Sequence, residues 1–339
     1  LPHELLDRLI HTLPPNSAEL IIPPGIGRDA AGLQIGNQLV AVTTDPITFA
    51  TKNIAKYSIA VNVNDVACLG CRPKWYSGVL LLPVGTTEEQ VEAIWSELVS
   101  EHKAYNIQAI GGHVEVTHTV NQPVLVGQMI GEVIGDRLLN PENIKPGDQL
   151  LLWQKIGIEG TALIAREKEH LLQKYFTSKE IHSMQLLLDH PGICVWPFVE
   201  KLLPNEGVVA LHDPTEGGIA TAIHEVAEAS GRGIHVNGDA LPFLPETLLL
   251  SNALKFNPLG LLASGSLLIT CRAENEKELL AQFPEEPFVN IGEFTKEKRV
   301  ILYKHGVHDR LPRFDRDEIT RLIKIPAASG RGIFISFID

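Results

Sequence analysis

Hydrophobic side chains recur at helical spacing in three segments of the N-terminal part of the chain. Residues 3 to about 14 place leucine and isoleucine on one face and predict a helix that Pro14 and Pro15 end. Residues 53–69 repeat the pattern and predict a second helix. Thr86-Thr87-Glu88-Glu89 is typical of a capping box and predicts a third helix through about residue 104.

Short apolar runs around these helices predict strands. The predicted strands are two within residues 33–43, which turn at Gly36-Asn37, and Tyr76–Pro83, Ile107–Ile110 and Val124–Ile134. The run from Val79 to Leu82 contains no polar residue, so we expect both faces of that strand to be buried.

A change of texture near residue 140 marks the predicted domain boundary. Residues 140–148 are mostly turn formers, and a new series of elements follows them. We predict an N-terminal domain of residues 1–139, a C-terminal domain of residues 140–315 and a tail of residues 316–339. The tail repeats six residues of the 229–234 segment, which is too little for a structural repeat, and we interpret it as a disordered or incidental extension.

The second half alternates strands with helices as the first half does. Its predicted strands are residues 149–153, 267–270 and 288–291, and its predicted helices are residues 161–168, 183–188 and 218–229. Because both halves mix the two element types, the fold class is α/β or α+β.

Composition narrows the classes of function. The chain has 339 residues, 44% hydrophobic and 21% charged, which suits a globular protein of two domains. No apolar run reaches the ~18 residues of a membrane span, and the first residues lack the layout of a secretory signal, so we expect a soluble, cytoplasmic protein without membrane association. A net charge of −12 without a concentrated basic stripe argues against nucleic-acid binding. An anionic ligand stays possible if metal ions supply positive charge.

Cys68 and Cys71 have the spacing of a CxxC motif. No second pair and no nearby histidine completes a zinc site. Small residues at the end of a buried helix explain the pair, and redox or metal chemistry is the alternative.

The candidate chemistry lies in single carboxylates beside glycine turns and strand ends, spread over both halves of the chain. They are Asp29, Asp45, Asp65 and Asp213. Mg²⁺ prefers oxygen ligands and usually takes one or two carboxylates together with substrate phosphates. This pattern therefore favours a protein that binds magnesium against phosphate.

The segment around Asp213 allows two interpretations. Thr215 can cap the helix that follows, and Gly217-Gly218 leaves the first helical N–H groups uncovered, which is typical of an anion site. The alternative is an ordinary helix N-cap, for which Asp and Thr are common.

Two further motifs have weaker meaning alone. Gly25-Ile26-Gly27-Arg28-Asp29 is similar to part of a dinucleotide fingerprint but precedes its strands, and no P-loop lysine motif occurs, so ATP would bind by another route. His113 and Glu115, which follow Gly111-Gly112, lie on the same side of an extended segment. They are either a surface pair or a place where Glu115 binds a metal ion.

The order of these motifs resembles the aminoimidazole ribonucleotide synthetase (PurM-like) superfamily between about residues 20 and 310. The matching segments are residues 25–31, 43–45, 61–70, 111–112 and 213–220. The last segment, with residues 157–162 and 261–265, looks most like the branch of the hydrogenase-maturation protein HypE.

The resemblance implies two α/β domains, with the N-terminal sheets of two subunits forming the barrel-like core of a homodimer. It implies an ATP- and Mg²⁺-dependent enzyme that transfers phosphate to, or activates, an oxygen of a small-molecule substrate. Asp213 and Asp45 would act in catalysis, and the metal ligands would be Asp29, Asp45, Asp65, Glu115 and Asp213. The nucleotide would contact Gly25, Gly27, Asp65, Gly111, Gly112, Thr215, Gly217 and Gly218.

Two departures from the HypE pattern keep an alternative open. Pro312-Arg313 is followed by Phe314-Asp315 where HypE has Ile-Cys, and no cysteine follows Cys271. His113-Val114-Glu115 replaces the Gly-Asp-Thr or Gly-Glu-Thr of many relatives. The alternative is a non-catalytic, nucleotide-binding relative that serves as an assembly or maturation partner.

Overall fold

The computed structural model describes residues 3–322 as two mixed β-sheets with helices packed around them. The strands are β1 Leu20–Ile22, β2 Ala31–Ile35, β3 Gln38–Ile47, β4 Cys71–Pro83, β5 Gln108–Thr117, β6 Val124–Val133, β7 Gln149–Trp153, β8 Val208–His212, β9 Gly233–Asn237, β10 Leu267–Cys271, β11 Phe288–Thr295, β12 Val300–Lys304 and β13 Val307–Arg310. The helices are α1 His3–Ile10, α2 Ile54–Cys68, α3 Glu88–Ala104, α4 Ile158–Glu167, α5 Glu169–Leu172, α6 Ser178–Leu186, α7 Trp196–Leu202, α8 Gly218–Ser230, α9 Pro245–Leu254, α10 Glu276–Gln282 and α11 Ile319–Leu322.

The first sheet has the strand order β1-β2-β3-β6-β4-β5. Its pairs are antiparallel except for β4 with β5, which run parallel and are connected by α3. The predicted hairpin at Gly36 is confirmed, because β2 and β3 pair around it. The second sheet has the order β13-β12-β9-β11-β7-β10-β8 and contains one parallel pair, β12 with β9.

Helix α2 lies between the two halves of the molecule. It packs on β3, β4 and β6 on one side and contacts α7 and β8 on the other. Nearly all of its residues are buried, including the polar Asn62, Asn64 and Asp65. Since buried polar groups are normally hydrogen-bonded, the polar side chains of this helix need hydrogen-bond partners in the centre of the protein.

Two sequence predictions do not agree with the observed burial. Val79 is 38% exposed although Leu80 and Leu82 are buried, so β4 alternates instead of being covered on both faces. Within the predicted tail, Asp317 and Ile319 are buried. The rest of that tail, residues 323–339, lies outside the described residues.

Cys68 and Cys71 are buried, reduced thiols. Burial raises the pKa of the Cys71 thiol to about 12, which disfavours a reactive thiolate. Between residues 3 and 322, no helix combines the length and apolar character needed to cross a membrane.

Candidate functional site

Four different elements deliver the predicted aspartates. Asp29 precedes β2, Asp45 lies within β3, Asp65 lies on α2 and Asp213 follows β8. Asp45 and Asp65 hydrogen bond one another, and Asp29 exerts a charge effect on both of them and on Asp213. Because α2 contacts both β3 and β8, the structure brings the four side chains together.

Neighbouring side chains hold these carboxylates in place. The Thr43 hydroxyl donates to Asp65 Oδ2 at 2.7 Å. Asn64 Nδ2 donates to Asp213 Oδ2 at 2.8 Å, and the Val195 amide donates to Asn64 Oδ1 at 2.8 Å. The other oxygen of Asp213, Oδ1, is buried and has no hydrogen-bond partner among the described residues. A buried carboxylate oxygen without a donor is costly unless a cation or proton reaches it.

His212 bridges two acidic side chains next to Asp213. Its Nδ1 lies 2.8 Å from Asp29 Oδ1, and its Nε2 lies 3.2 Å from Glu225 Oε2. Burial alone favours the neutral ring, but Asp29 and Glu225 outweigh it and raise the pKa of His212 well above its usual value. The resulting imidazolium fixes Asp29 and supplies one positive charge to an otherwise anionic cluster.

Asp65 and Asp213 resist ionisation. Burial, followed by the charges of Asp45 and Asp29, raises the pKa of Asp65 well above its usual value. Burial also raises the pKa of Asp213, which the hydrogen bond from Asn64 partly offsets. Like charges in a desolvated cluster hold either protons or cations, so metal binding would displace protons here.

The residues fit magnesium only when the ligand contributes oxygen atoms. Within residues 3–322, no group of three or more His, Cys, Asp or Glu side chains is positioned to hold a metal ion by itself. Mg²⁺ usually binds only one or two protein carboxylates and completes its coordination shell with water and phosphate oxygens. The unpartnered Asp213 Oδ1 and the Asp45–Asp65 pair offer oxygen atoms that are suitable metal ligands.

A cavity of about 110 Å³ adjoins the cluster and is lined by Asp45, Glu159, Thr215, Glu216 and Ser264, among others. Among the described residues that line it, none is Lys or Arg. Ligand sites for whole small molecules usually measure ~300–1,000 Å³. The cavity therefore suits a single phosphate-sized group, and the rest of a nucleotide would lie outside it.

Gly217 and Gly218, at the start of α8, do not offer free amides, contrary to the sequence prediction. The Gly217 amide donates to Asp317 Oδ2 at 2.7 Å, and the Gly218 amide donates to the Thr215 carbonyl at 3.0 Å. Thr215 does not cap the helix; Gly217 holds the N-cap position with a left-handed φ of 78°. Asp317, from the predicted tail, thus occupies the helix end that was expected to bind an anion.

Gly25 and Gly27 pack a loop instead of lining the cavity. A Cβ on Gly27 would meet the Glu225 carbonyl oxygen at 2.3 Å, so the loop lies directly on α8. The Arg28 side chain lies against Gly25 and pairs with Glu142. This packing holds Asp29 at His212.

Gly111, Gly112 and Glu115 lie on β5, away from the aspartates of the same chain. Three strand spacings of ~4.8 Å separate β5 from β3, which carries Asp45. The His113 and Glu115 side chains are 3.7 Å apart and exposed. Within one chain, Glu115 does not join the aspartate cluster.

Sequence reasoning missed Glu159 on α4. Its side chain is 5% exposed, it lines the cavity with Asp45, and its Oε2 has no hydrogen-bond partner among the described residues. Burial, with the charge of Glu216, raises the pKa of Glu159 to about 8. A carboxyl group that keeps its proton near neutral pH is able to act as an acid in the cavity. It lies in the 157–162 segment that resembles HypE, but it was not singled out, because a glutamate in the first turn of a helix is ordinary.

Comparison with known proteins identifies the family of this architecture. Residues 27–133 match the family model of the AIR synthase related protein N-terminal domain, and residues 145–305 match that of its C-terminal domain. The chain is 26% identical over 258 residues to carbamoyl dehydratase HypE of Rhodobacter capsulatus, covering 73% of each chain.

Solved structures share the fold. A hydrogenase maturation protein HypE in complex with ATP has a TM-score of 0.71 at 22% identity, covering 86% of this chain and 89% of that one. The structure of a HypE–HypF complex gives 0.75 at 20% identity, covering 91% and 99%. With both family domains matched in order along one PurM-like fold, the chain belongs to the AIR synthase-related family.

Proposed function

We propose that this protein is an ATP- and Mg²⁺-dependent enzyme that phosphorylates, or activates through phosphorylation, an oxygen atom of a small molecule. The observation that carries the proposal is the convergence of Asp29, Asp45, Asp65 and Asp213 from both halves of the chain. An anionic triphosphate cannot approach such a cluster without cations, and the adjoining cavity offers no basic side chain among the described residues that line it.

In this proposal Asp45, Asp65 and Asp213 hold the ions, and Asp29 completes the cluster from its place beside His212. Bound Mg²⁺ would neutralise charge on the phosphate oxygens. The protein would hold the metal-binding carboxylates in fixed positions. Asn64 orients Asp213, and Thr43 orients Asp65. His212 orients Asp29. Such preorganisation is the main way in which proteins promote phosphoryl transfer.

The nucleotide-binding roles of Gly25, Gly27, Gly111, Gly112, Thr215, Gly217 and Gly218, and a metal role for Glu115, stay predictions. Gly217 and Gly218 would first have to release Asp317 and the Thr215 carbonyl. A role for Gly111, Gly112 and Glu115 requires a second subunit, because of their distance from Asp45 in one chain.

A homodimer would supply that second subunit. Strand β5 is the sheet edge and is exposed over nearly its whole length, and α3 beside it has no buried residue. The apolar side chains left open on these two elements are Trp95, Val99, Ile110, Val114 and Val116. Large apolar patches and unpaired strand edges are the usual features of an association surface. We propose that two copies join through this surface.

Replacing Ile110 and Val114 by lysine is expected to yield monomers, because two buried charges per subunit would face each other across the interface. Analytical ultracentrifugation measures the change. Ile35→Lys is the control, since Ile35 is 62% exposed on β2, away from β5. A wild-type protein that sediments as a monomer would contradict the proposed dimer.

The enzymatic proposal is tested by a screen of small acids, amides and phosphate esters for stimulated ADP release. Mg²⁺ is expected to be required, and EDTA to stop turnover, because the carboxylates repel the triphosphate without it. The second candidate, a non-catalytic assembly partner, is motivated by Phe314-Asp315 in place of the Ile-Cys of HypE. It predicts calorimetric binding of Mg·ATP without ADP release for any compound in the screen.

A further inference from the structure

A strongly basic groove of about 610 Å³ lies on the C-terminal half of this acidic protein. We define the basic groove by its cationic side chains, which are Arg232, Lys298, Arg299, Arg310 and Arg313. They come from the end of α8, the turn before β12 and the end of β13 with the residues after it. The groove shares no lining residue with the cavity at the aspartates.

The neighbouring negative charge does not balance these cations. Glu228, which pairs with Arg313, is the one acidic side chain among the described residues that line the groove. The C-terminus of α8 adds a partial charge of about −0.5 at Gly231, where Lys298 approaches. Among the side chains that line the groove, five positive charges against about −1.5 leave a clear excess, so pairing with lining residues does not account for the cluster.

His224, which lines the groove, has a ring nitrogen without a hydrogen-bond partner in the part of the chain that the structure describes. It is 6% exposed and lines the groove, and its Nε2 lies 3.0 Å from the Leu311 carbonyl, to which it must donate. Its Nδ1 is buried and has no partner among the described residues. Burial lowers the pKa of His224, so the ring is neutral and Nδ1 is an acceptor without a donor. A ligand hydroxyl would satisfy it.

We propose that the basic groove binds a small phosphorylated metabolite that carries at least two phosphate groups and a hydroxyl group. The guanidinium groups suit phosphate oxygens, which they can bind in bidentate fashion. The volume lies within the range of small-molecule sites, ~300–1,000 Å³. The groove thereby gives the protein a second anion site that needs no metal ion.

Calorimetry with fructose 1,6-bisphosphate as the probe, in EDTA and at low ionic strength, tests the proposal. Wild type is expected to bind saturably, and the Lys298→Ala/Arg310→Ala double variant at least about fivefold more weakly, because two exposed charges are lost. Lys296→Ala/Lys304→Ala is the matched control: it removes the same charge from exposed positions outside the groove and is expected to keep wild-type affinity.

Asp213→Asn should bind the probe as wild type does, which separates this site from the proposed catalytic one. Three outcomes would overturn the proposal: no saturable binding, equal weakening in both double variants, or tighter binding of a polyglutamate peptide than of the bisphosphate. The last would assign the groove to an acidic protein segment.

Discussion

Replacing Asp213 by asparagine is expected to lower Mg²⁺-dependent ATP turnover by about 100-fold or more, a loss typical of removing a preorganised electrostatic group. Asparagine keeps the shape and can still accept the hydrogen bond from Asn64, so the change is confined to charge. The amide cannot offer an anionic oxygen to a metal ion in place of Oδ1. Steady-state ADP release, with the substrate that the screen identifies, measures the effect.

The same substitution should stabilise the metal-free protein at neutral pH. Burial, followed in effect by the charge of Asp29, raises the pKa of Asp213 above its usual value of 3.8, against the opposing hydrogen bond from Asn64. Above pH 3.8 the unfolded state loses this proton more readily than the folded state does. The free energy of unfolding of the wild type therefore falls as the pH rises, whereas the neutral asparagine carries no such penalty. The advantage of the variant should be largest at high pH and shrink as the pH falls towards 3.8.

Asp136→Asn is the control, since Asp136 is exposed on a turn between the two halves. It should change neither turnover nor the pH dependence of unfolding. Full activity in Asp213→Asn would contradict the catalytic role of Asp213. A less stable metal-free variant would contradict the account of its buried charge.

Alanine in place of Gly218 is expected to reduce the free energy of unfolding by more than about 3 kcal/mol. Gly218 has a φ of 63°, which costs a non-glycine residue about 1 kcal/mol or more. In addition, its Cβ would lie 2.5 Å from the Leu261 carbonyl oxygen and 2.7 Å from that of Leu259. These atoms belong to backbone and cannot move aside cheaply, so the start of α8 must shift. Denaturant unfolding measures the loss.

Gly36→Ala separates the two causes. Gly36 has a similar φ of 61°, but no atom lies within 4 Å of the position of its Cβ. It should lose only the conformational part, about 1 kcal/mol. Equal losses at the two glycines would contradict the claim that close packing at Leu261 dictates glycine at position 218.

Periodicity predicted the local elements well where one physical signal dominated. The capping box at Thr87 and the apolar spacing of residues 53–69 correspond to α3 and α2. The alternation in β4 was missed because a run without polar residues does not tell which face is covered. One face of β4 packs on α2, and the other leaves Val79 open.

The aspartate cluster followed from the order of motifs, not from spacing. Asp29 and Asp213 are far apart in sequence, and Asp29 reaches His212 through the packing of the residue 25–29 loop on α8, which spacing does not reveal. Glu159 was not singled out, although it lies in the 157–162 segment, because a glutamate at the start of a helix is ordinary, and no motif marks Asp317. The basic groove escaped notice because its cations come from three separate segments, which hid the patch in an acidic sequence.

A crystal structure with Mn²⁺ and a non-hydrolysable ATP analogue tests the central claim most directly, since anomalous scattering locates the metal independently of the protein. We predict manganese peaks within coordination distance of carboxylate oxygens of Asp45, Asp65 or Asp213 and of the analogue's phosphates. Nucleotide bound elsewhere, or bound here with no manganese on these aspartates, would contradict the account.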